Sequence, residues 1–289
     1  MSNQQSTTAG TAAGTAAVAH RRPAGPGALR IGVSRARIEL KQFFRERDSL
    51  VFTFLFPVIM LFIFGSAFSK SNLPGGVTFT QYFAAGMIAT GLVLSSFQQL
   101  AIGIAVERDD GTLKRLRGTP MPPVAYFLGK IGMVLVAAVI QTAILLVVGS
   151  LLFGLDLPTS ADRWLRFGWI FVLGVTTGTV CGIAYSSVPR SAKSAGAVVT
   201  PVVLVLQFIS GVYFVYSQLP TWMQTAGAVF PLKWLTEAMR SVFLPDSFAQ
   251  QEVAKSWELP QTTLVLAVWA VIGLVLCLRT FRWQRRDAG

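Results

Sequence analysis

The sequence predicts an all-α membrane protein: six transmembrane helices, an N-terminal amphipathic helix lying in the interface, a short polar helix at the base of one hairpin, and both termini in the cytoplasm. Three observations predict it. The composition is 53% hydrophobic and only 13% charged over 289 residues, about half the charge of a soluble domain. The missing charge is concentrated into six windows without Asp, Glu, Lys or Arg: residues 49–69, 71–106, 131–155, 167–189, 194–232 and 259–278. Each is long enough to cross about 30 Å of hydrocarbon at 1.5 Å per residue. A soluble protein with long buried helices would have to mimic a span in all six. Cations also alternate from loop to loop. Of 25 Lys and Arg, 19 precede Leu50, lie between Val106 and Ile131, lie between Val188 and Ala195, or follow Leu278; the other three loops share 6. That is the positive-inside pattern for an even number of spans. It accounts for the net charge of +12 without any nucleic acid.

Residues 1–27 are rich in Ala, Thr, Gly, Ser and Gln, a composition that predicts a disordered cytoplasmic tail. Its lone His20 has no partner ligands nearby. No compact apolar core follows Arg21 and Arg22, so no cleaved leader is expected and the first span drives insertion. Residues 28–48 mix Ile31, Val33, Ile38, Leu40, Phe43 and Phe44 with Arg30, Arg35, Arg37, Lys41, Arg45 and Arg47. The near-helical recurrence of the apolar set predicts an amphipathic helix whose cations reach headgroup phosphates.

The six-helix domain is expected over 49–280. Span one, 50–68, is dense in Phe and kinked at Pro57. Asn72-Leu73-Pro74-Gly75-Gly76 is a turn composition. Span two, 81–105, carries Ser95, Ser96, Gln98 and Gln99 in its lower half. The stretch after it, 107–117, holds seven charges in eleven residues. Each would cost about 2.5–3.5 kcal/mol at the bilayer centre, so this stretch lies in water, at the base of a hairpin. Span three, 124–153, has Gln141 and Thr142 midway. Trp164 and Trp169 mark the outer interface. Span four, 167–188, places Gly174, Gly178 and Gly182 on one face. That small-xxx-small stripe predicts close packing inside the subunit. Span five, 194–213, contains Pro201.

The external segment 214–258 has no charge before Lys233 and is interrupted by Pro and Gly. It is too apolar for an ordinary loop and predicts short re-entrant helices, allowed only where protein covers the backbone. Within it Glu237 and Arg240 stand three apart, a pairing of little value if exposed. Span six, 259–278, exits into a basic tail, 281–289, with Arg279, Arg282, Arg285 and Arg286 as a cytoplasmic lock. Cys181 and Cys277 fall inside spans and are expected to pack there.

The chain offers no G-x-x-x-x-G-K-[ST] loop, no G-x-S-x-G and no His-Cys-acid metal cluster. No Asp or Glu lies within a predicted span, which argues against a proton relay. Active transport by this chain therefore needs an energy source outside it. The polar stretch, with Gly111, Gly118 and Pro120 as turn residues, suits a short helix seated in a groove of another protein.

These residues resemble the ABC-2 family of ABC-transporter permeases, particularly the drug-resistance type found with a daunorubicin-exporter-like ATPase. The likeness rests on four features. They are the basic lead-in ending Phe43-Phe44-Arg45-Glu46-Arg47-Asp48; the run from Glu107 through Arg108, Asp109, Asp110, Gly111, Thr112, Leu113, Lys114, Arg115 and Leu116, followed by Thr119-Pro120-Met121; the Ser210-Gly211 … Leu219-Pro220 … Phe230-Pro231-Leu232 run; and six spans with both ends inside. The resemblance implies a half-transporter that dimerises with itself or a sister permease and binds two ABC ATPase subunits, which hold the ATP and Mg; no cofactor is expected in this chain. It implies a coupling helix in which Glu107, Arg108, Asp109, Gly111, Thr112, Leu113, Arg115 and Leu116 meet the ATPase, with Phe43, Phe44, Arg45 and Arg47 of the connecting helix beside them. It implies export of a small lipophilic compound, often an antibiotic, across the plasma membrane, along a path lined by spans two and five; Gln98, Gln207, Phe208 and Ser210 are the candidates there, although polar groups inside spans commonly serve as interhelical glue. Export of a glycolipid or polysaccharide, and a non-transporting signalling scaffold, are the alternatives. An intramembrane enzyme would need a buried acid or His constellation, which the spans do not supply.

Overall fold

The structure is a computed structural model and describes residues 28–69, 71–119 and 121–281. The predicted tail 1–27 and the cations Arg282, Arg285 and Arg286 lie outside the described residues. The described chain is helical, with no strand; Asn72 and Thr78 form an isolated antiparallel bridge.

The first helix, α1 (Ala28–Phe43), ends five residues before the expected boundary, at a turn through Phe44 and Arg45. It lies along α5 (Pro123–Phe153), and glycine makes the approach possible. A Cβ at Gly129 would lie 2.5 Å from Cγ of Arg35, and one at Gly132 2.9 Å from Cβ of Ala36. On its other side α1 exposes Leu29, Val33 and Ile38 among Arg30, Arg37 and Lys41, and the turn after it adds Phe44 and Arg45, the surface expected of an interfacial helix.

Five described helices are long and apolar enough to cross a membrane: α3 (Phe79–Asp109), α5, α6 (Ala161–Tyr185), α7 (Ala192–Ile209) and α10 (Leu259–Thr280). A shorter apolar helix occupies Thr53–Ala67, where the sequence predicts span one. It comprises α2 (Phe56–Ala67) and the end of a preceding π turn, Val51–Leu55. Pro57, at the start of α2, has no N–H to donate, and the wide turn directly before it absorbs that gap. Bands of exposed apolar side chains, such as Phe62, Ile63, Leu151, Leu152, Val172, Val271 and Leu278, face outward. A water-facing surface would not sustain so continuous an apolar cover.

The central pillar is α3. A capping box of Thr78 and Gln81 starts it, and the small residues Ala84, Ala85, Gly86, Ala89 and Gly91 let neighbours pack on several sides. Below them the helix widens into a π turn, Leu94–Gln98, which the sequence did not signal. Ser95 Oγ and Ser96 Oγ return hydrogen bonds to the carbonyls of Gly91 and Leu92, at 2.8 and 2.5 Å. Gly178 and Gly182 of the α6 stripe seat on this turn: a Cβ at Gly182 would stand 2.6 Å from the Phe97 carbonyl oxygen. The stripe is thus spent on contacts within the chain, as expected.

The segment after α7 departs from a plain loop. Two helices, α8 (Thr221–Val229) and α9 (Pro231–Phe243), form a hairpin whose turn lies beside the middles of α6 and α10. Leu235 packs on Gly174, and Trp269 Nε1 donates to the Val229 carbonyl at 2.8 Å. Gly174 and Trp269 are each ten or more residues inside their helices, so the hairpin descends roughly 15–20 Å beside them. Every residue of α9 after Pro231 is buried, which meets the condition for non-spanning backbone at depth. The pairing that the spacing left open to Glu237 and Arg240 does not form. Glu237 pairs with Lys233 at 2.7 Å, and Arg240 pairs with Glu252 at 2.7 Å. The reason is geometric: α9 turns Lys233, Glu237 and Arg240 toward the strap 252–258, whose Glu252 and Glu258 cap them, while Leu235, Met239 and Val242 face the core. Burial opposes the charge on Arg240, but Glu252, Tyr82 and Glu237 together outweigh it and hold the guanidinium protonated.

Candidate functional site

At the base of α3 three consecutive charges leave the helix in two directions. Glu107 turns toward α1 and α5. Its Oε1 lies 2.7 Å from Lys130 Nζ and 3.6 Å from Arg35, and its Oε2 accepts from Tyr126 Oη at 2.7 Å. Lys130 also meets Glu39 Oε2 at 2.7 Å, and Glu39 pairs with Arg35 at 2.5 Å. Two acids and two bases thus close a ring that is at most 14% exposed at any member. Such a ring is tolerable because each charge has an opposite partner at contact distance.

Arg108 and Asp109 turn the other way, toward the break between α6 and α7. The Arg108 guanidinium donates to the carbonyls of Ser186 and Pro189 at 2.6 and 3.0 Å, at the carbonyl end of α6. The Asp109 carboxylate accepts the Ala192 N–H at 2.9 Å, at the amide end of α7. Each charge opposes the partial charge of the helix end it meets. The triplet therefore ties the foot of α3 to α1, α5, α6 and α7 at once.

The chain then reverses. Asp110 accepts the Thr112 N–H at 2.8 Å, and Gly111 adopts a left-handed φ of +77°, a conformation that costs a Cβ-bearing residue about 1–2 kcal/mol. These start α4 (Thr112–Arg117). Leu113 is fully buried and Leu116 partly so, both on the core, while Lys114, Arg115 and Arg117 face out. Of the residues the sequence assigned to an ATPase contact, Glu107, Arg108, Asp109 and Leu113 are engaged within the chain. Thr112 and Leu116 are half-covered, and Arg115 stands in the open. In the lead-in, Phe43 is buried with its ring 5.7 Å from that of Phe54. Phe44 is 44% exposed and stacks on the same ring, and Arg45 and Arg47 are exposed beyond the end of α1.

A cavity of about 410 Å³ opens beside this base, lined by Glu39, Thr53, Gln98, Gln99, Glu107, Thr200 and others. It includes Gln98, carried on the π turn of α3. The other path candidates lie two helical turns away, at the far end of α7. Gln207 accepts from Tyr213 Oη, and Phe208 places its ring 4.9 Å from that of Tyr213. Ser210 is buried, with its carbonyl accepting from Thr236 Oγ1 at 2.9 Å. The structure does not bring Gln98 together with these three. A second, apolar cavity of about 200 Å³ lies between α3, α6, α7 and α10, roofed by Phe230 and Leu232. Among the described residues no group of three His, Cys, Asp or Glu is placed to hold a metal.

The sequence did not signal Lys130, Arg35 and Tyr126 as partners of Glu107, nor Glu39 as the second acid of the ring. Two of them stand out by position alone: Lys130 is a lone cation directly before the charge-free run that begins at Ile131, and Glu39 is the lone acid of a basic helix.

A stack of long apolar helices around a small-residue pillar, with a braced polar tip, defines a multi-pass helical membrane protein. The chain belongs to the ABC-2 type transporter family, whose model matches residues 35–244. It is 20% identical over 197 residues to "Putative transport permease YvfS" of Bacillus subtilis (strain 168), an alignment covering 67% of this chain and 77% of that one. It is 23% identical over 147 residues to "Probable multidrug ABC transporter permease YbhR" of Escherichia coli (strain K12), covering 51% of this chain and 39% of that one.

Proposed function

We propose that the chain is the membrane subunit of an ATP-binding cassette exporter, with ATP hydrolysed by a separate subunit that grips α4. Two copies, or one copy and a sister permease, form the pathway in the plasma membrane, with both termini and α4 in the cytoplasm. The observation that carries this reading is the braced tip. A lever moves a bundle only if its foot is fixed to the bundle, and the Glu107-Arg108-Asp109 triplet fixes the foot of α3 to four other elements. Family membership supports the class of machine, and the positive-inside pattern supports the orientation.

A small lipophilic drug is the proposed cargo. A relative bears the words multidrug ABC transporter permease, and a cavity of about 410 Å³ with mixed polar and apolar lining suits a drug-sized ligand. The test is co-purification with an ATPase encoded beside it, followed by reconstitution. Vesicles holding the complex should accumulate a lipophilic dye when ATP is supplied, and vesicles with the permease alone should not. Absence of any stable ATPase complex, or dye movement independent of ATP, would sink the reading.

A further inference from the structure

We propose that the groove that receives α4 on the partner ATPase is acidic, and that docking is driven by the outward basic face Lys114, Arg115 and Arg117. This deepens the exporter reading and rests on it. In the sequence the stretch from Glu107 to Arg117 is of mixed charge, with three acids and four bases, and no sign of partner follows from it. The fold separates the signs. Glu107 and Asp109 are turned into the chain, against Lys130 and Ala192, and Arg108 is spent on two carbonyls. Asp110 folds onto the Thr112 N–H. What α4 presents outward is Lys114, Arg115 and Arg117. The neighbouring turn between α6 and α7, tied to Asp109 through Ala192, adds exposed Arg190 and Lys193. Five cations face out, against two exposed carboxylates, Asp110 and Glu46, which line the same cavity.

Anionic headgroups are the competing source of negative charge, and distance argues against them. The charge-free run of α5 begins at Ile131, just above the buried ring at Lys130. Residues 123–130 then extend the helix about 12 Å further at 1.5 Å per residue, and α4 lies past that. The headgroup layer adds only about 5–7 Å on each side of the hydrocarbon. A tilt of about 20° shortens the extension by about 1 Å. With the hydrocarbon boundary set at Ile131, seven residues inside the span read from the sequence, α4 stands beyond the lipid surface, where a protein groove can reach it. The apolar side, Leu113 and Leu116, is already used on the core, which leaves charge as the means of recognition.

The experiment measures binding of the purified full-length chain to its co-encoded ATPase across about 0.05 to 0.5 M salt. Wild-type affinity should fall about tenfold or more over that range. The triple variant Lys114→Gln/Arg115→Gln/Arg117→Gln should bind about tenfold more weakly at low salt and lose most of the salt dependence, with its thermal unfolding unchanged because these side chains are exposed. Arg115→Lys/Arg117→Lys should bind as wild type. In a second arm, Lys114 acylation is followed in vesicles of anionic or zwitterionic lipid. ATPase should protect Lys114 in both, and lipid alone in neither. Salt-insensitive binding, or a triple variant that binds like wild type, overturns the proposal while leaving the exporter reading standing. Protection by anionic vesicles alone assigns the face to lipid and also overturns it. A wild-type chain that captures no ATPase overturns both.

Discussion

Lys130 shows how one side chain decides the state of its neighbours. It touches Glu39 and Glu107, both at 2.7 Å, inside a ring with little solvent. Lys130→Met would leave two carboxylates sharing the single cation Arg35. Breaking a buried pair on one side costs about 3–5 kcal/mol, so the variant should unfold several degrees lower in detergent. Adding Glu39→Gln should recover much of that loss, because it removes the orphaned charge. A lone Lys130→Met that unfolds like wild type would show that the ring is not a structural lock. Gln141 is the opposite case. Its amide is fully buried against Gly91, and neither its nitrogen nor its oxygen has a protein partner. An unmet buried amide costs about 1–3 kcal/mol, so the near-isosteric Gln141→Met should raise the unfolding temperature. No gain would mean that a water molecule serves both atoms.

At the scale of elements, the contact between α6 and the π turn of α3 sets the geometry of the middle of the bundle. Replacing a helical Gly by Ala in open surroundings gains up to about 1 kcal/mol. Gly182 lies 2.6 Å, by its would-be Cβ, from a backbone oxygen that cannot rotate away, so Gly182→Ala should destabilise by about 1–3 kcal/mol. The same helix supplies its own control: Gly168 has nothing within 4 Å of a would-be Cβ, and Gly168→Ala should be neutral or stabilising in the same thermal assay. Equal effects at both sites would remove the close packing as the cause. The buried hairpin α8–α9 makes a related point. Its charges are held by a strap that follows it in the chain, so a polar helix is kept at depth without exposing a charge to lipid.

For the whole molecule, orientation follows from where the cations lie. With Cys181 and Cys277 replaced, a single cysteine at Thr119 should react with a membrane-impermeant maleimide only from the cytoplasmic side. One at Ser247 should react only from outside; both positions are exposed. Labelling of Thr119 from outside intact cells would invert the topology and, with it, the side on which a motor can act. The two 31-residue helices α3 and α5 are each about 46 Å long, well beyond the hydrocarbon thickness.

Hydrophobicity is local and additive along a chain, which is why the long helices, the turn at Gly111 and the polar tip were legible in residues alone. The bounds that slipped were those where polar turns extend an apolar helix. One is α6, whose first turn is capped by Ser160 and carries Asp162 and Arg163. Long-range pairing is neither local nor additive. Whether Glu107 faces a partner or Lys130, and whether Glu237 meets Arg240 or Lys233, depends on which helices lie alongside. The sequence by itself determined that this chain crosses a membrane and bears a charged tip between two spans. Only the tertiary structure decided that Glu107, Arg108 and Asp109 turn inward while Lys114, Arg115 and Arg117 face out, because the energy of a charge is set by the neighbour it finds when the helices pack.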